Sequence, residues 1–475
     1  MKTRRLSLLS LVFCFAVSYT SAQEEIRFGI PPAPPNPGKL MIVKSTGDTV
    51  DAKPGDGVCA DASGDCTLRA AVDEMNANNG PADVIIFEMA YPAVIELTLG
   101  ELNLSDAAAT IIGPGARRLT IRRGATAAPF RIFNVTNTEP RSQTRIWRLR
   151  LEGGDVRPQN GGAVRIAAGA NVDLREMWFA SNRGDEGGAI ANEGTLNVTR
   201  SLFQLNIAGD GGAIHLASGS SMVLTNSTLT SNHAVQGGAI NAEGTLVSAN
   251  NTLTYNSAVS YASSIANDNG GSVSLLNTIV GQDYPPQSGY SLRGPFISLG
   301  NNIVVDDRQS NGFTDGVNGD QIGIQFDPML GKLADNGGQT DTFSLLEGSP
   351  AIDRGNSCVY SGQCSLAFER LRWDQRTNHI RMALSGGSIV DVGAFESGSM
   401  VSTASVTVGA FSPSLAPRNI GFVFAIDVTT SERRTAILHP RGDYRFRSLQ
   451  AGEVYVFDHH IKNRASSPFV SAFLF

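Results

Sequence analysis

The chain has 475 residues and a formal net charge of −6, and only 17% of its residues are charged and 7% aromatic, whereas glycine occupies 51 positions. This length is enough for two or three domains, and the glycine content is typical of a turn-rich β protein. The sequence has no basic tract and no set of aromatic residues placed to stack on bases, which excludes a nucleic-acid-binding protein.

The first 22 residues have the pattern of a secretory signal peptide. Basic residues at positions 2, 4 and 5 precede an apolar run from Leu6 to Val17, and small residues stand just before Gln23. We therefore expect cleavage after residue 22 and export of the mature chain. No later segment is long and apolar enough to predict a membrane-spanning helix.

Residues 23–48 are predicted to form a proline-rich linker, because prolines crowd the stretch from 31 to 37. The following segment, 49–82, contains a short amphipathic helix over 67–78. Its apolar residues stand at 68, 71, 72 and 75, which is the spacing of one helix face. The sequence Asn-Asn-Gly-Pro from residue 78 ends this helix.

A repeat of about 24 to 26 residues, a period typical of stacked repeats, runs through the middle of the chain. Gly-Gly-Ala-Val begins at 161, and Gly-Gly-Ala-Ile begins at 187, 211 and 237. In phase with it, an apolar residue is followed three positions later by asparagine. These pairs are Phe179 with Asn182, Phe203 with Asn206, Leu229 with Asn232, and Leu253 with Asn256.

Apolar residues between these marks alternate along the chain and fall into columns, for example at 172, 196, 222, 246 and 273. A period of two predicts strands with one face inward. Short strands separated by glycine and asparagine turns predict a parallel β-helix over 83–326. The alternative, an antiparallel sandwich, does not explain why five units keep one phase.

The asparagine of each unit is predicted to lie inside a turn, where its amide bonds backbone groups and the asparagines of adjacent coils. The alternative is a row of solvated loop residues. Because a β-helix exposes backbone and apolar groups at its end, we expect the helix at 67–78 to cap the first coil.

Four cysteines remain after the signal peptide, in two closely spaced pairs. In an exported chain, Cys59 with Cys66 and Cys358 with Cys364 are expected to form disulfides. A zinc site is the alternative, although neither pair has the Cys-x-x-Cys spacing.

Two motifs resemble a known family. The motif Cys-x6-Cys-Thr-Leu-Arg-Ala-Ala-Val from Cys59 resembles the CSLREA-type motif found ahead of β-helices in secreted bacterial proteins, with Thr67 for its usual Ser and Ala70 for its usual Glu. The sequence from 297 onward resembles choice-of-anchor Q domain proteins, whose later signatures match Asp374-Gln-Arg and Asp391-Val-Gly-Ala-Phe-Glu396. The paired Gly-Gly-Ala-Ile and Phe-x-x-Asn motifs also resemble the repeats of chlamydial polymorphic membrane proteins, which are adhesive autotransporters.

This resemblance implies a right-handed parallel β-helix of the pectin-lyase type, carried by a secreted or surface-associated bacterial protein, with residues 327–396 as its C-terminal part. It implies no settled activity. Residues 401–475, with short alternating strands around Tyr444-Arg-Phe446, resemble carboxypeptidase regulatory-like domains and so imply a small transthyretin-like β-sandwich.

Parallel β-helices host polysaccharide lyases and hydrolases, which use carboxylates on an outer face. The acids at matching places in neighbouring coils, Asp185, Glu186 and Asp210, are therefore the candidate catalytic residues. Their alternative role is that of solvated turn residues. Oxygen-rich turns make Asp61 with Asp65, and Asp315 with Asp320, candidate Ca²⁺ ligands, although such turns form without an ion. No other cofactor is expected.

From these observations we expect an exported, monomeric, non-catalytic surface scaffold, resembling an adhesin, that binds polysaccharide or another cell-surface ligand. The alternative function is a polysaccharide lyase or glycoside hydrolase acting on the outer face of the β-helix. Acidic and basic residues clustered in one groove favour the enzyme, and a flat, polar, acid-poor sheet favours the scaffold.

Overall fold

The computed structural model describes residues 38–78, 83–105, 108–139, 142–281, 290–364, 370–377, 379, 381 and 389–398, together with the backbone of short strands between 405 and 474. The predicted signal peptide and residues 23–37 of the predicted linker lie outside the described residues.

The described residues from 40 to 322 form a parallel β-helix of three sheets, as the repeat predicts. The first sheet comprises Leu40–Val43, Val84–Phe87, Thr110–Ile112, Thr144–Trp147, Asn171–Arg175, Thr195–Thr199, Ser221–Thr225, Thr245–Ala249, Ser272–Leu276 and Ile297–Ser298. The second sheet comprises Ala93–Leu97, Leu119–Arg123, Arg150–Glu152, Trp178–Ala180, Leu202–Gln204, Thr228–Thr230, Thr252–Thr254, Ile279–Gly281, Ile303–Val304 and Gln321–Ile322. The third sheet comprises Leu102–Leu104, Phe133–Val135, Val164–Ile166, Ile190–Asn192, Ile214–Leu216, Ile240–Ala242, Ile265–Ala266, Leu292–Pro295 and Gln309–Asn311.

Two further strands, His233–Gln236 and Ser257–Tyr261, pair in parallel at the corner between the second and third sheets. A single turn of 3₁₀ helix, Val317–Gly319, follows the last strand of the third sheet.

Inward side chains stack from coil to coil and form one continuous core. In the second sheet, Phe179 lies opposite Phe203, which is followed by Leu229 and Leu253 in the same register. The rings of Phe179 and Phe203 stack with centroids 4.6 Å apart and planes inclined by 11°. Each coil therefore needs only a few apolar residues, because its neighbours complete the core.

Asn182, Asn206, Asn232 and Asn256, the asparagine ladder, lie inside the corner between the second and third sheets and are fully buried. The Oδ1 of Asn206 accepts hydrogen bonds from the backbone N and Nδ2 of Asn182, both at 3.0 Å. Its Nδ2 donates to the carbonyl of Phe179 at 3.1 Å and to Asn232 Oδ1 at 2.9 Å. These side chains thus satisfy backbone groups that the turn would otherwise leave unpaired.

A second interior row follows the corner between the first and second sheets. Ser227 Oγ accepts from the backbone N of Ser201 at 3.0 Å, and Asn251 Oδ1 accepts from the backbone N of Ser227 at 2.8 Å. Further along, Asn302 accepts from the backbone N of Thr278 at 3.1 Å. Both serine and asparagine fill this role, so the sequence alone shows no single repeating residue there.

An α-helix, Leu68–Asn78, stands in the chain between the first two strands of the first sheet, where later coils have strands of the other two sheets. Its apolar side chains at positions 68, 71, 72 and 75 belong to the continuous core. Leu40–Val43 precedes this helix and lies inside the predicted linker 23–48. It is a strand because it pairs with Val84–Phe87 and buries Met41 and Val43.

Both predicted cysteine pairs are disulfide-bonded. The Cα atoms are 5.1 Å apart in Cys59–Cys66 and 4.9 Å apart in Cys358–Cys364. The first bond closes the loop before the helix Leu68–Asn78, and the second closes the short helix Cys358–Ser361.

The described residues between 327 and 396, which we call the returning segment, run back along the outside of the β-helix. An antiparallel hairpin of Leu330–Ala334 and Thr342–Leu345 packs its leucines against Ile279 and Ile303 of the second sheet. Four turn asparagines of the β-helix donate Nδ2 hydrogen bonds to backbone carbonyls of this segment. The contacts are Asn301 to Arg354 at 2.7 Å, Asn277 to Asn356 at 3.1 Å, Asn250 to Asp391 at 3.3 Å and Asn226 to Trp373 at 3.0 Å.

Beyond residue 400 the described backbone forms antiparallel strand pairs. A four-stranded sheet has the order Arg433–Thr435, Ile420–Asp427, Val454–Ile461 and Phe469–Leu474. Ser405–Val406 pairs with Leu449–Gln450, and Ile437–Leu438 pairs with Tyr444–Arg445. In the part of the chain that the structure describes, no helix is long and apolar enough to cross a bilayer.

Candidate functional site

The three predicted acids, which we call the acidic corner, lie where the second sheet turns into the third. Glu186 pairs in parallel with Asp210, and Asp210 pairs with Gln236 of the next coil. Asp185 is exposed beside them, and its backbone carbonyl accepts a hydrogen bond from the N of Gly209 at 2.7 Å. The fold therefore stacks Glu186 and Asp210 on neighbouring coils and places Asp185 at their outer side.

Glu186 is held by two neighbours on different coils. Asn160 Nδ2 donates to Glu186 Oε2 at 2.6 Å, and Asn160 Oδ1 accepts from the backbone N of Glu186 at 3.2 Å. The Nε2 of His215 lies 3.6 Å from the same Oε2.

His215 is a buried residue of the third sheet, flanked by Ala191 and Asn241 in register. Asn241 Nδ2 lies 3.4 Å from its Nδ1. His215 and His233 stand at different positions within the repeat, so the sequence shows no column of stacked histidines. The relevant signal is that His215 follows Asp210 by five residues, which carries it from the corner onto the adjacent sheet.

Burial raises the pKa of the Asp210 carboxyl, and the charges of Glu243 and Asp185 act in the same direction, whereas His215 lowers it. A carboxyl with a raised pKa beside a histidine and a second carboxylate is an arrangement that can transfer protons. The acidic corner is therefore the part of the described surface where acid–base chemistry has its partners in place.

The first candidate Ca²⁺ turn uses its carboxylate within the turn. Asp61 Oδ1 accepts from Ser63 Oγ at 2.6 Å and from the backbone N of Asp65 at 3.0 Å, while Oδ2 accepts from Thr49 Oγ1 at 2.5 Å. These hydrogen bonds, with that from Ser63 first, hold the pKa of Asp61 well below its usual range. The turn is closed by its own donors.

The second candidate turn ends the interior serine–asparagine row. Asp320 is buried, and its Oδ1 accepts from the backbone N and Nδ2 of Asn302 at 2.9 and 3.0 Å. Asp315 Oδ1 accepts from the backbone N of Ile322 at 3.0 Å. Among the described residues, no group of three or more histidine, cysteine or acidic side chains is arranged to hold a metal ion.

A groove of about 300 Å³, the arm groove, lies between the outer face of the first sheet and residues 370–373 of the returning segment. Its floor consists of two outward rows in register, Asp173 with Asn197 and Arg175 with Thr199 and Thr225. Arg370, Leu371, Arg372 and Trp373 form the opposite wall. The groove is open and polar, and its floor runs across successive coils. An extended ligand with hydroxyl groups fits this shape.

The arginines of the floor are fixed by neighbours. Arg175 Nε donates to Asp173 Oδ2 at 2.8 Å, and its guanidinium lies over the ring of Trp147, 5.2 Å from the centroid. Arg200 contacts Glu176, with Nη2 and Oε1 3.2 Å apart, beneath the edge of the groove. Such pre-positioned guanidinium groups lose little freedom when a ligand binds.

The two late signature motifs form a buried network within the returning segment. Arg376 contacts Asp374 at 2.5 Å, and Arg381 contacts Glu396 at 3.3 Å. Arg381 Nε also donates to Asn226 Oδ1 of the β-helix at 3.0 Å. These charged residues are buried, and Arg381 attaches the returning segment to the β-helix.

Comparison of the chain with protein-family models, with curated proteins and with solved structures finds no match. The interpretation of the acidic corner and the arm groove therefore depends on their geometry.

Proposed function

We propose that this chain is an exported, non-catalytic surface scaffold that binds polysaccharide or another cell-surface ligand along its outer face. One observation carries the proposal. The arm groove, which has room for a ligand, lies on the first sheet, whereas the paired titratable groups lie at the acidic corner between the other two sheets. Among the described residues that line the groove, the one carboxylate is that of Asp173, which accepts hydrogen bonds from Arg175 and Trp147 and is therefore engaged with the floor.

Other features support an exported scaffold. The N-terminal sequence pattern and two disulfides suit an extracellular protein. We further propose that the β-helix is right-handed, that the helix Leu68–Asn78 caps its first coil, and that residues 401–475 form a β-sandwich. The sequence resemblances to CSLREA-type, choice-of-anchor Q and carboxypeptidase regulatory-like proteins support these assignments.

The test combines a glycan array with assays for reducing sugars and unsaturated products on pectins, alginates and glycosaminoglycans. We expect binding without turnover. Asn197→Trp, which fills the arm groove, should abolish binding. Ser274→Trp is the matched control, because Ser274 occupies the same outward row three coils further along and does not line the groove. Equal binding by both variants would show that the ligand binds outside the arm groove.

A polysaccharide lyase or hydrolase acting at the acidic corner is the second candidate, favoured by the 3.6 Å approach of His215 to Glu186 and the raised pKa of Asp210. Neighbouring coils are about 4.8 Å apart, close to the carboxylate separation of retaining glycosidases. If turnover is found, Asp210→Asn should reduce it at least a hundredfold, while the exposed Glu88→Gln should leave it unchanged. That pair of results would replace the scaffold proposal with an enzyme.

A further inference from the structure

A lysine, a glutamate and an asparagine meet where the chain enters the first coil. Lys39 directly precedes the strand Leu40–Val43, whereas Glu74 and Asn78 lie four residues apart on one face of the helix Leu68–Asn78. Lys39 Nζ lies 2.9 Å from Asn78 Oδ1 and 3.3 Å from Glu74 Oε1. Asn78 Nδ2 donates to the same Oε1 at 2.9 Å. One carboxylate oxygen therefore contacts both the lysine amine and the nitrogen of the asparagine amide.

Neighbouring backbone groups hold the lysine and the glutamate in this arrangement. Asp83 Oδ1 accepts a hydrogen bond from the backbone N of Lys39 at 2.6 Å. The two carboxylate oxygens of Glu74 accept from the backbone N of Gly55 and Gly57, both at 2.5 Å. A Cβ atom on Gly57 would lie 2.8 Å from Lys39 Nζ, so the glycine leaves the space that the amine occupies. Such fixed placement of reacting groups is what lowers the entropic barrier of a reaction.

The pair of Lys39 and Glu74 is poorly solvated. The side chain of Glu74 is 1% exposed and that of Lys39 is 31% exposed. When one proton passes from the ammonium group to the carboxylate, both charges disappear, and burial favours that neutral pair. The unprotonated amine is a nucleophile, and the carboxyl group beside it can donate and accept protons.

We infer that Lys39 and Asn78 become joined by an amide bond that the folded chain forms by itself. Lys39 Nζ attacks Cγ of Asn78, and the Nζ–Cγ bond forms. The protonated carboxyl of Glu74 donates to Nδ2 as the Cγ–Nδ2 bond breaks, and it recovers a proton from Nζ. One amine and one primary amide thus become one secondary amide and one molecule of ammonia, and the reaction consumes no oxidant and no other reagent.

This bond would join the first strand of the β-helix to the end of the helix Leu68–Asn78. The disulfide Cys59–Cys66 closes only a short loop within the same stretch of chain. A covalent link between Lys39 and Asn78 encloses that loop and restricts the unfolded chain over a longer span. The entrance to the first coil would then stay closed after the disulfide is reduced. The bond requires no ligand and so goes beyond the proposed function.

The test is peptide mapping by mass spectrometry on the purified full chain, after reduction and digestion with trypsin. We expect trypsin to leave the bond after Lys39 uncut in at least half of the chains, because the lysine amine is acylated. The peptide that contains Lys39 should be recovered linked to the peptide that contains Asn78. The mass of the linked pair should be lower than the sum of the two peptides by about 17 Da, which is one molecule of ammonia.

Three variants separate the reaction from the packing. Lys39→Arg keeps the positive charge but removes the nucleophile, and should give no linked peptide. Glu74→Gln keeps an oxygen that can accept a hydrogen bond but cannot carry the proton, and should lower the linked fraction at least tenfold. Lys44→Arg is the matched control, because Lys44 follows the same strand and contacts the half-exposed Glu88 at 3.6 Å, and should keep the linked peptide.

The map of the unmodified chain decides the inference without reference to any variant. Recovery of both peptides separately and at full mass would show an ordinary ion pair at the end of a helix, and would overturn the inference. Loss of ammonia at Asn78 without a link to Lys39 would show that the asparagine has cyclised onto its own backbone, which would also overturn it. A linked fraction unchanged in Glu74→Gln would overturn the role of Glu74. None of these results bears on ligand binding, so the proposed function is tested separately.

Discussion

At the residue scale, one backbone conformation is repeated on seven coils and serves two purposes. The turn between the first and second sheets has a left-handed residue on each coil, with φ between 48° and 62°. These residues are Arg148, Glu176, Arg200, Asn226, Asn250, Asn277 and Asn301. Asparagine tolerates this conformation best among residues with a side chain. The four asparagines hold the returning segment, and the three charged residues form the buried ion network beneath the arm groove.

The asparagine ladder provides a sharp stability test at this scale. Asn206→Ala removes the acceptor for two N–H groups of Asn182 and the donor to the Phe179 carbonyl, and leaves them buried. We expect a loss of about 3 kcal/mol in the free energy of unfolding, measured by chemical denaturation. Asn269→Ala, at an exposed asparagine that bonds Glu243, should cost less than about 0.5 kcal/mol. Similar losses in both variants would contradict a structural role for the ladder.

The raised pKa of Glu396 predicts that the free energy of unfolding falls as pH rises. Burial raises its pKa to about 8, with Arg381 opposing the shift. Among the described residues of this cluster, the carboxyl groups of Asp374 and Asp391 add to the upward shift, since like charges nearby disfavour ionisation of Glu396.

Between the unfolded pKa near 4.5 and the folded pKa near 8, the folded state binds more protons. The free energy of unfolding must therefore fall as pH rises across this range, by at most about 1.4 kcal/mol per unit. The contribution is complete below 4.5 and lost above 8. Hydrogen exchange of residues 389–396 at pH 5 and pH 8.5 measures it. Glu396→Gln should flatten the dependence and the exposed Glu347→Gln should not, and an equally steep dependence in Glu396→Gln would exclude Glu396 as its source.

At the element scale, the helix Leu68–Asn78 is joined to the preceding loop by one buried carboxylate. Glu74 accepts from the backbone N of Gly55 and Gly57, both at 2.5 Å, and from Asn78 Nδ2 at 2.9 Å. The helix therefore orders the loop around residues 55–57, which precedes the disulfide Cys59–Cys66. From the second turn of the helix, the Glu74 side chain reaches backbone groups that precede the helix in sequence.

Glu74→Ala should detach this loop, because it leaves two backbone N–H groups without their acceptor. We expect a loss of about 2–3 kcal/mol and faster hydrogen exchange over residues 68–78. Glu88→Ala, which removes a half-exposed carboxylate 3.6 Å from Lys44, is the matched control and should have little effect. Unchanged exchange in Glu74→Ala would show that the apolar face alone holds the helix.

Sequence reasoning succeeds where one element repeats and falls short where elements from distant parts of the chain meet. The stacking of Phe179 on Phe203 follows from spacing, because coils of equal length place equivalent residues over each other. The strand Leu40–Val43 could not be predicted, because it follows a proline-rich stretch and lies within the predicted linker. Its partner strand, Val84–Phe87, comes only after the helix, so no local pattern connects the two.

The candidate sites show the same division. Glu186 and Asp210 could be paired from their repeat positions, whereas the approach of His215 requires the turn between two sheets to be known. The arm groove could not be predicted at all, because its walls are far apart in sequence, one ending at Asn226 and the other beginning at Arg370, and no periodicity links them.

At the scale of the whole molecule, the returning segment changes how the coils depend on each other. A solenoid is stabilised by contacts between neighbouring repeats and can lose coils from its ends. Here the segment contacts Asn301 near one end and reaches Arg117, whose Nη2 lies 2.6 Å from Asp341, near the other. Coils that are distant along the axis are therefore connected by one continuous piece of chain, which should make their unfolding more cooperative.

Arg381→Met tests this connection, because Arg381 is the buried link between Glu396, the Gly393 carbonyl and Asn226 of the β-helix. Its removal leaves buried acceptors without a donor and should destabilise the returning segment by about 3 kcal/mol. Hydrogen exchange should then accelerate over residues 370–377 and 389–396, while strands around the asparagine ladder remain protected. The denaturation curve should also broaden, because end coils unfold before central ones once the connection is weakened. A variant that loses protection evenly along the β-helix, with a transition as sharp as that of the unmodified chain, would show that the coils unfold as one unit without help from the returning segment.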